Sequence, residues 1–188
     1  MNKRTANFMF GTIVLVMAFT HLPARAQLAR ADRAFLKEAS GMTRFQEEAS
    51  RLAIDHARNL NIKVYATGVL KRHAAGDLAP LARQRGVTQP LMDGGHRKTL
   101  NQLGKARGAG FDSLYVQKVA LQAQREEAAL LERSAGSLQD PALREWAQAM
   151  LPLVRERIAE ASMLAGGRAD VAARPGGADT KHRPVPTP

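Results

Sequence analysis

The sequence predicts an all-α fold: four long helices in a bundle, with a long crossover that carries a short extra helix. Three observations lead there. Between Gln27 and Ala165 apolar residues recur at three- and four-residue spacing in four long segments. The one strongly strand-like stretch lies in the first twenty residues, ahead of this region. Two of the three connections are tight, while the middle one is long and rich in turn residues.

The first segment, about Ala31 to Ala57, carries Phe35, Leu36, Ala39, Met42, Phe45, Ala49, Leu52 and Ala53, and Asp32 at its start suits the helix dipole. The second, about Leu60 to Arg85, carries Ile62, Tyr65, Ala66, Val69, Leu70, Leu78 and Leu81. Asn59 is its N-cap and Gly86 its stop. Pro80 lacks a backbone donor and should kink this helix or end it near Ala79. Val87 to Gly95 reads as a loop, followed by a short helix with Leu100 and Leu103 on one side. Gly104, Gly108 and Gly110 separate it from the third long segment, about Phe111 to Ala135, with Leu114, Tyr115, Val119, Ala129 and Leu130. Asp140-Pro141, a cap followed by proline at the first helical position, opens the fourth. That segment runs to Ala165 through Leu143, Trp146, Met150, Leu151, Val154 and Ile158, with Pro152 expected to kink it and free the carbonyl of Gln148. Helices of this size make a bundle roughly 35–40 Å long. One long crossover between two hairpins is the plan of a ferritin-like bundle; a simple up-down bundle is the rival.

Residues 1–26 read as a signal peptide. Lys3 and Arg4 precede an apolar run, Phe8 to Thr20, and Ala24-Arg25-Ala26 offers small residues for cleavage between Ala26 and Gln27. The run is shorter than the roughly twenty residues a membrane span needs. The chain is therefore expected to be exported to the periplasm or cell envelope, with residues 27–165 as the bundle domain. Residues 166–188 are rich in Gly and Pro and poor in large apolar side chains, and are expected to form a disordered tail. The 188 residues include no Cys, which excludes disulfides, thiolate metal sites, Cys nucleophiles and an N-terminal lipid anchor on Cys.

The net charge of +11 is unevenly spread. Without residues 1–26 it is +8, and the segment Arg58 to Arg107 alone has ten basic residues against Asp77 and Asp93. Arg83, Arg85, Arg97, Lys98, Lys105 and Arg107 cluster around the loop ends and the short helix as a candidate basic surface. Its candidate partners are anionic envelope lipid or an acidic protein; a merely solvated basic surface is the plain alternative. Nucleic acid is not expected, since stacking aromatics are missing from Ala66 to Gly110.

Several motifs, in this order, resemble a known family. They are Asp32-Arg33-Ala34-Phe35-Leu36, Gly110-Phe111-Asp112 with Tyr115, Asp140-Pro141-Ala142-Leu143 and Leu151-Pro152. The family is one of exported bacterial helical bundles of unknown function, often labelled predicted outer membrane proteins. The resemblance spans about Ala31 to Ala161. It implies a ferritin-like fold with acidic residues in the first helix and a His in each later long helix, as for an ancestral metal site. Here Glu48 matches one acid, while Gln46 stands at the other position. His73 matches the second-helix His. The third His position falls on Ala123 or Gln124 and the fourth on Arg157.

Direct tests for chemistry are mostly negative. No His has a Glu three residues before it, the spacing used by carboxylate-bridged metal bundles. Asp93-x-x-His96 has that spacing but reads as part of a glycine loop. No phosphate loop, no zinc-protease motif and no nucleophile elbow is present. Glu126 and Glu127 read as a solvated charged face, since neighbours on a helix point about 100° apart. One pair remains. An antiparallel hairpin turning at Arg58 to Leu60 puts His73 beside Phe45, with Glu48 about one turn away. His73 and Glu48 are thus candidate metal ligands, although two are too few for a tight site and a structural ion pair is the plainer reading. A surviving metal site would bring His73, Glu48 and Gln122 to one cavity. No cofactor is required and no reaction is specified. The expected function is that of a non-enzymatic envelope protein, with a metal-binding or redox bundle carrying a degenerate His/Glu site as the alternative.

Overall fold

The computed structural model describes residues 28–87 and 92–173, and every regular element among these is helical. The elements are α1 (Arg30–His56), α2 (Leu60–Ala75), α3 (Ala79–Gln84), α4 (Gly94–Lys105), α5 (Gly108–Tyr115), a π-helical stretch (Val116–Ala123), α6 (Gln124–Ala135) and α7 (Pro141–Ala173). The expected signal segment, with its Ala26–Gln27 junction, lies outside the described residues. The expected tail lies partly outside: α7 continues to Ala173, past the expected end at Ala165. An established helix extends at low cost, one hydrogen bond for each residue added.

The predicted second helix divides in two. α2 ends at Ala75, Asp77 Oδ1 accepts from the Ala79 N–H, and Pro80 stands in the first turn of α3. Proline is tolerated there because the first-turn N–H groups have no helical partner. Gly86 then stops α3 with φ at 68°, a conformation glycine adopts without a Cβ clash. Pro152 sits on an exposed side of an unbroken α7.

Side-chain pairs give the direction of each rod. α5, the π-helical stretch and α6 follow one another with helical backbone at both junctions, making one continuous rod. This rod is antiparallel to α1, because Ser50 meets Tyr115, Gln46 meets Gln124, and Glu38 meets Arg133. α2 is also antiparallel to α1 across the turn at Ala57–Asn59, with His73 beside Glu47. α7 is antiparallel to α2, since the Gly76 carbonyl accepts from Trp146 while Tyr65 reaches the Arg157 carbonyl. The order is thus up, down, down, up. The two "down" rods are joined by the crossover, residues 76–107, which carries α3 and α4.

Two buried carboxylates hold the hairpin loops. Asp32, 2% exposed near the start of α1, accepts from the N–H groups of Gln139 and Asp140, both at 2.9 Å. Asp112, near the start of α5, accepts from Arg58 and Asn59 at 3.0 and 3.1 Å. Each hairpin is therefore pinned by an aspartate from a helix outside it. Asp140 in turn caps α7 through the Ala142 and Leu143 N–H groups.

The apolar core has two parts. One gathers Phe45, Ile62, Tyr65, Phe111 and Tyr115. The other gathers Phe35, Leu36, Leu78, Leu131 and Leu143. On each rod the change from one part to the other coincides with buried polar residues: Gln46 on α1, His73 on α2, Gln124 and Glu127 on α6, and Arg157 on α7.

Candidate functional site

This polar layer is the chemically distinctive interior of the bundle. Arg157 is fully buried, and its Nη2 lies 3.5 Å from Oε2 of Glu127, itself 4% exposed. The same Oε2 accepts from Gln46 Nε2 at 2.8 Å, and Gln46 Oε1 accepts from Gln124 Nε2 at 2.8 Å. Burial pushes the Glu127 carboxyl up, against the pull of Arg157 and Gln46. Removing a carboxylate and a guanidinium from water costs several kcal/mol each, so each depends on the other's charge.

The π-helical stretch brings these groups to one side. Tyr115 and Gln124 are nine residues apart, which in a regular α-helix places them on opposite faces. The wider turns of Val116–Ala123 take up the extra half turn, so both side chains meet α1, at Ser50 and Gln46. A period of 3.6 applied to the sequence cannot show this. It also misplaces Glu127, which is interior rather than part of a solvated face; only Glu126 is exposed.

His73 borders the layer and also lines a cleft of about 570 Å³ between α1, α2 and α3. Its side chain is 3% exposed, and neither ring nitrogen has a hydrogen-bond partner among the described residues. Burial, with the nearby charges of Arg157 and Arg72, lowers its pKa to about 3, so the imidazole is neutral at physiological pH. The carboxylate nearest to it is Glu47, at 3.9 Å, which corrects the expected pairing with Glu48. Glu48 pairs instead with Arg44 at 2.8 Å on the outside of α1. Adjacent helical positions differ by about 100°, so a register one residue off selects the wrong acid. Gln122 does not join them: it bonds Lys118 and Glu126 on the exposed side of the rod.

The basic residues of the crossover divide into two kinds. Arg85 is not surface charge, contrary to expectation. It is bound bidentately to Asp140, through Nε at 2.5 Å and Nη2 at 2.8 Å, joining α3 to the cap of α7. The hydrogen bond to Arg85 holds the Asp140 carboxyl below the usual carboxylate range. Arg83 is exposed and lines the His73 cleft. Arg97, Lys98 and Lys105 are exposed on α4, and Arg107 follows with its guanidinium on the Gly104 and Ala106 carbonyls.

α4 is seated by Leu103, fully buried, and by His96, whose ring stacks on Phe45 at 4.2 Å. Asp93 caps the helix by accepting from the His96 N–H at 2.9 Å, and its other oxygen lies against His96 Nδ1. Glu126 approaches Nε2 at 3.8 Å. The Asp93-x-x-His96 spacing, read as loop in the sequence, is thus a helix start. The signal that could have shown it is an Asp three residues ahead of the first polar residue of an amphipathic run.

Residues 18–164 match a domain of unknown function, DUF4142. The chain belongs to the DUF4142 family. No curated protein and no solved structure matches it.

The interior of this DUF4142 domain does not suit the metal site that the family resemblance implies. Among the described residues no group of three or more His, Cys, Asp or Glu side chains is placed to hold a metal ion. The position expected to carry the fourth-helix His holds the Arg157 cation, and the first- and third-helix positions hold amides already bonded to one another. A divalent ion beside His73 would face the charges of Arg157 and Arg72.

Proposed function

We propose that this chain is an exported, non-enzymatic protein of the bacterial cell envelope, built on a ferritin-like bundle, whose α4 face contacts an anionic lipid surface. The ferritin-like reading is supported by the up-down-down-up order with one long crossover. The export reading rests on the sequence pattern of residues 1–26. No helix among the described residues is long and apolar enough to cross a membrane, so any membrane association proposed here is peripheral.

The observation that carries the contact is the charge pattern of α4. The helix contains Arg97, Lys98 and Lys105 with no acidic residue, and all three are exposed. At 100° per residue they fall within an arc of about 100°, with Asn101 between them. The opposite face is the one buried through Leu103 and His96. Other bridges of the bundle hold their cations on nearby acids, such as Arg44 on Glu48, Arg72 on Glu160 and Arg155 on Glu132. Each basic residue near an anionic surface contributes about 1 kcal/mol. With Arg107 included, the stripe supplies about 4 kcal/mol, enough for reversible, salt-sensitive association.

Co-sedimentation with vesicles tests this. Phosphatidylglycerol-containing vesicles should retain the chain at low salt and release it at physiological salt, and R97E/K98E/K105E should abolish retention. Equal recovery on neutral and anionic vesicles refutes the lipid reading. Retention by an acidic protein column without vesicle binding moves the contact to an acidic partner.

A further inference from the structure

The polar layer carries a second conclusion, about what occupies the bundle interior. We propose that Arg157 is the resident cation of this interior, and that its guanidinium fills the role a metal ion would otherwise take among the side chains of Glu127, Gln46, Gln124 and His73.

Position comes first. Arg157 is wholly buried at the boundary between the two apolar parts of the core, on the same level as the other four side chains. A guanidinium there is a permanent charge, since it cannot lose its proton under ordinary conditions. Among the described residues the one acid paired with it is Glu127, at 3.5 Å. One cation and one carboxylate leave the layer neutral, whereas a divalent ion added to them would leave a buried excess of two charges.

Available lone pairs point the same way. Gln46 Oε1 and Glu127 Oε2 are already engaged. Unbonded acceptors in the layer are Gln124 Oε1, the second oxygen of Glu127 and one nitrogen of the neutral His73. Unbonded N–H groups outnumber them: Nε, Nη1 and Nη2 of Arg157 carry five N–H groups and lack hydrogen-bond acceptors among the described residues. A metal site is rich in acceptors, and tight zinc sites use four ligands, three of them from protein even in open sites. This layer is rich in donors, which is the pattern of a site built around its own cation. Arg157 also explains why amides stand at positions 46 and 124. Carboxylates there would add buried negative charge that one guanidinium cannot balance.

The proposal is independent of what α4 contacts, so vesicle results leave it unaffected. The test has two arms. In the first, the full chain is stripped with EDTA and titrated with Co²⁺ and with Zn²⁺, using calorimetry and the visible absorption of Co²⁺. No saturable binding that depends on Glu127 or His73 is expected. One equivalent of metal, lost in both E127Q and H73A, would overturn the proposal. In the second arm, urea unfolding compares R157M, E127Q and the double variant. R157M leaves a lone buried carboxylate, so adding E127Q should raise the folding constant about tenfold or more above that of R157M. Equal constants for R157M and the double variant would count against the charge role. If R157M does not fold, a folded E127Q/R157M supports the proposal and an unfolded one overturns it.

Discussion

Replacing Asp32 with alanine removes the one carboxylate among the described residues that holds the α6–α7 loop from outside. Both of its oxygens accept a backbone N–H, from Gln139 and Asp140, at 2.9 Å. Hydrogen bonds to a charged acceptor are worth about 1.5–3 kcal/mol each, which gives about 3–6 kcal/mol for the pair. Gln139 is exposed and Asp140 half-buried, so water can reach the freed N–H groups and the lower end applies, about 3 kcal/mol. A domain of this size has a total stability of about 5–15 kcal/mol, so the loss is large but compatible with folding. With a urea slope of about 2 kcal/mol/M, the midpoint should fall by about 1.5 M. Far-UV circular dichroism during urea unfolding reads this directly. Asn at position 32 should rescue little, because its amide nitrogen would face one of two donors. Asp112→Ala, which frees the Arg58 and Asn59 N–H groups at the other end of α1, should cost a similar amount, and the two losses should add. A loss under about 1 kcal/mol for Asp32→Ala, with the urea slope unchanged, would show that the carboxylate is not what pins the loop.

Two further outcomes follow from the charged groups. His73 is faced by Glu47 on α1, Arg72 on α2 and Arg157 on α7, and its pKa is lowered to about 3. A base with a depressed pKa contributes stability that is full above the unfolded value near 6.5 and is lost as pH falls toward the folded value. About 2 kcal/mol should disappear between pH 6.5 and 5, and His73→Leu should flatten that slope in urea titrations at the two pH values; an unchanged slope would contradict a buried neutral imidazole. Arg85→Met should cost about 1 kcal/mol at pH 7, because the bidentate pair with Asp140 is only partly screened. Asp140 has a depressed pKa, so this contribution is present above about pH 4 and fades as pH falls through the folded value. Thermal melts of the Arg85→Met variant and the parent should therefore converge as pH falls below the lowered value of Asp140.

What could be read from the sequence, and what could not, follows one physical division. Long rods are set by residues averaged over many turns, so the first segment, the Asn59 cap and the Asp140-Pro141 start agree with the helices found, while the second segment divides into α2 and α3 at Gly76–Leu78 and the fourth runs on to Ala173. The hairpin geometry was also accessible, since a short loop forces its helices to be neighbours. Single side chains at the site were not, because each depends on phase. An offset of one residue turns a side chain by about 100°, which exchanges Glu47 for Glu48 beside His73 and sends Glu127 inward while Glu126 stays out. Arg85 looked like one more surface cation because its partner, Asp140, is 55 residues away.

The π-helical stretch shows why the interior in particular escaped. With a uniform 3.6 period along residues 108–135, a Tyr115 facing α1 implies a Gln124 facing away from it, and Glu127 a third of a turn off. No side chain in Val116–Ala123 announces the wider turns, and its buried residues, Val116, Val119, Ala120 and Ala123, look like an ordinary apolar stripe. What makes the wider turns worthwhile is tertiary. They let one rod offer Tyr115 to Ser50 at one level and Gln124 and Glu127 to Gln46 at the next, so α1 meets a polar partner at both. A regular helix would turn Glu127 a third of a turn away and leave the buried Arg157 charge without the carboxylate that balances it, and an unpaired buried charge costs several kcal/mol. The local irregularity of the backbone and the cation at the centre of the bundle are therefore parts of one arrangement: the rod winds wider so that the acid that balances Arg157 is itself held by Gln46.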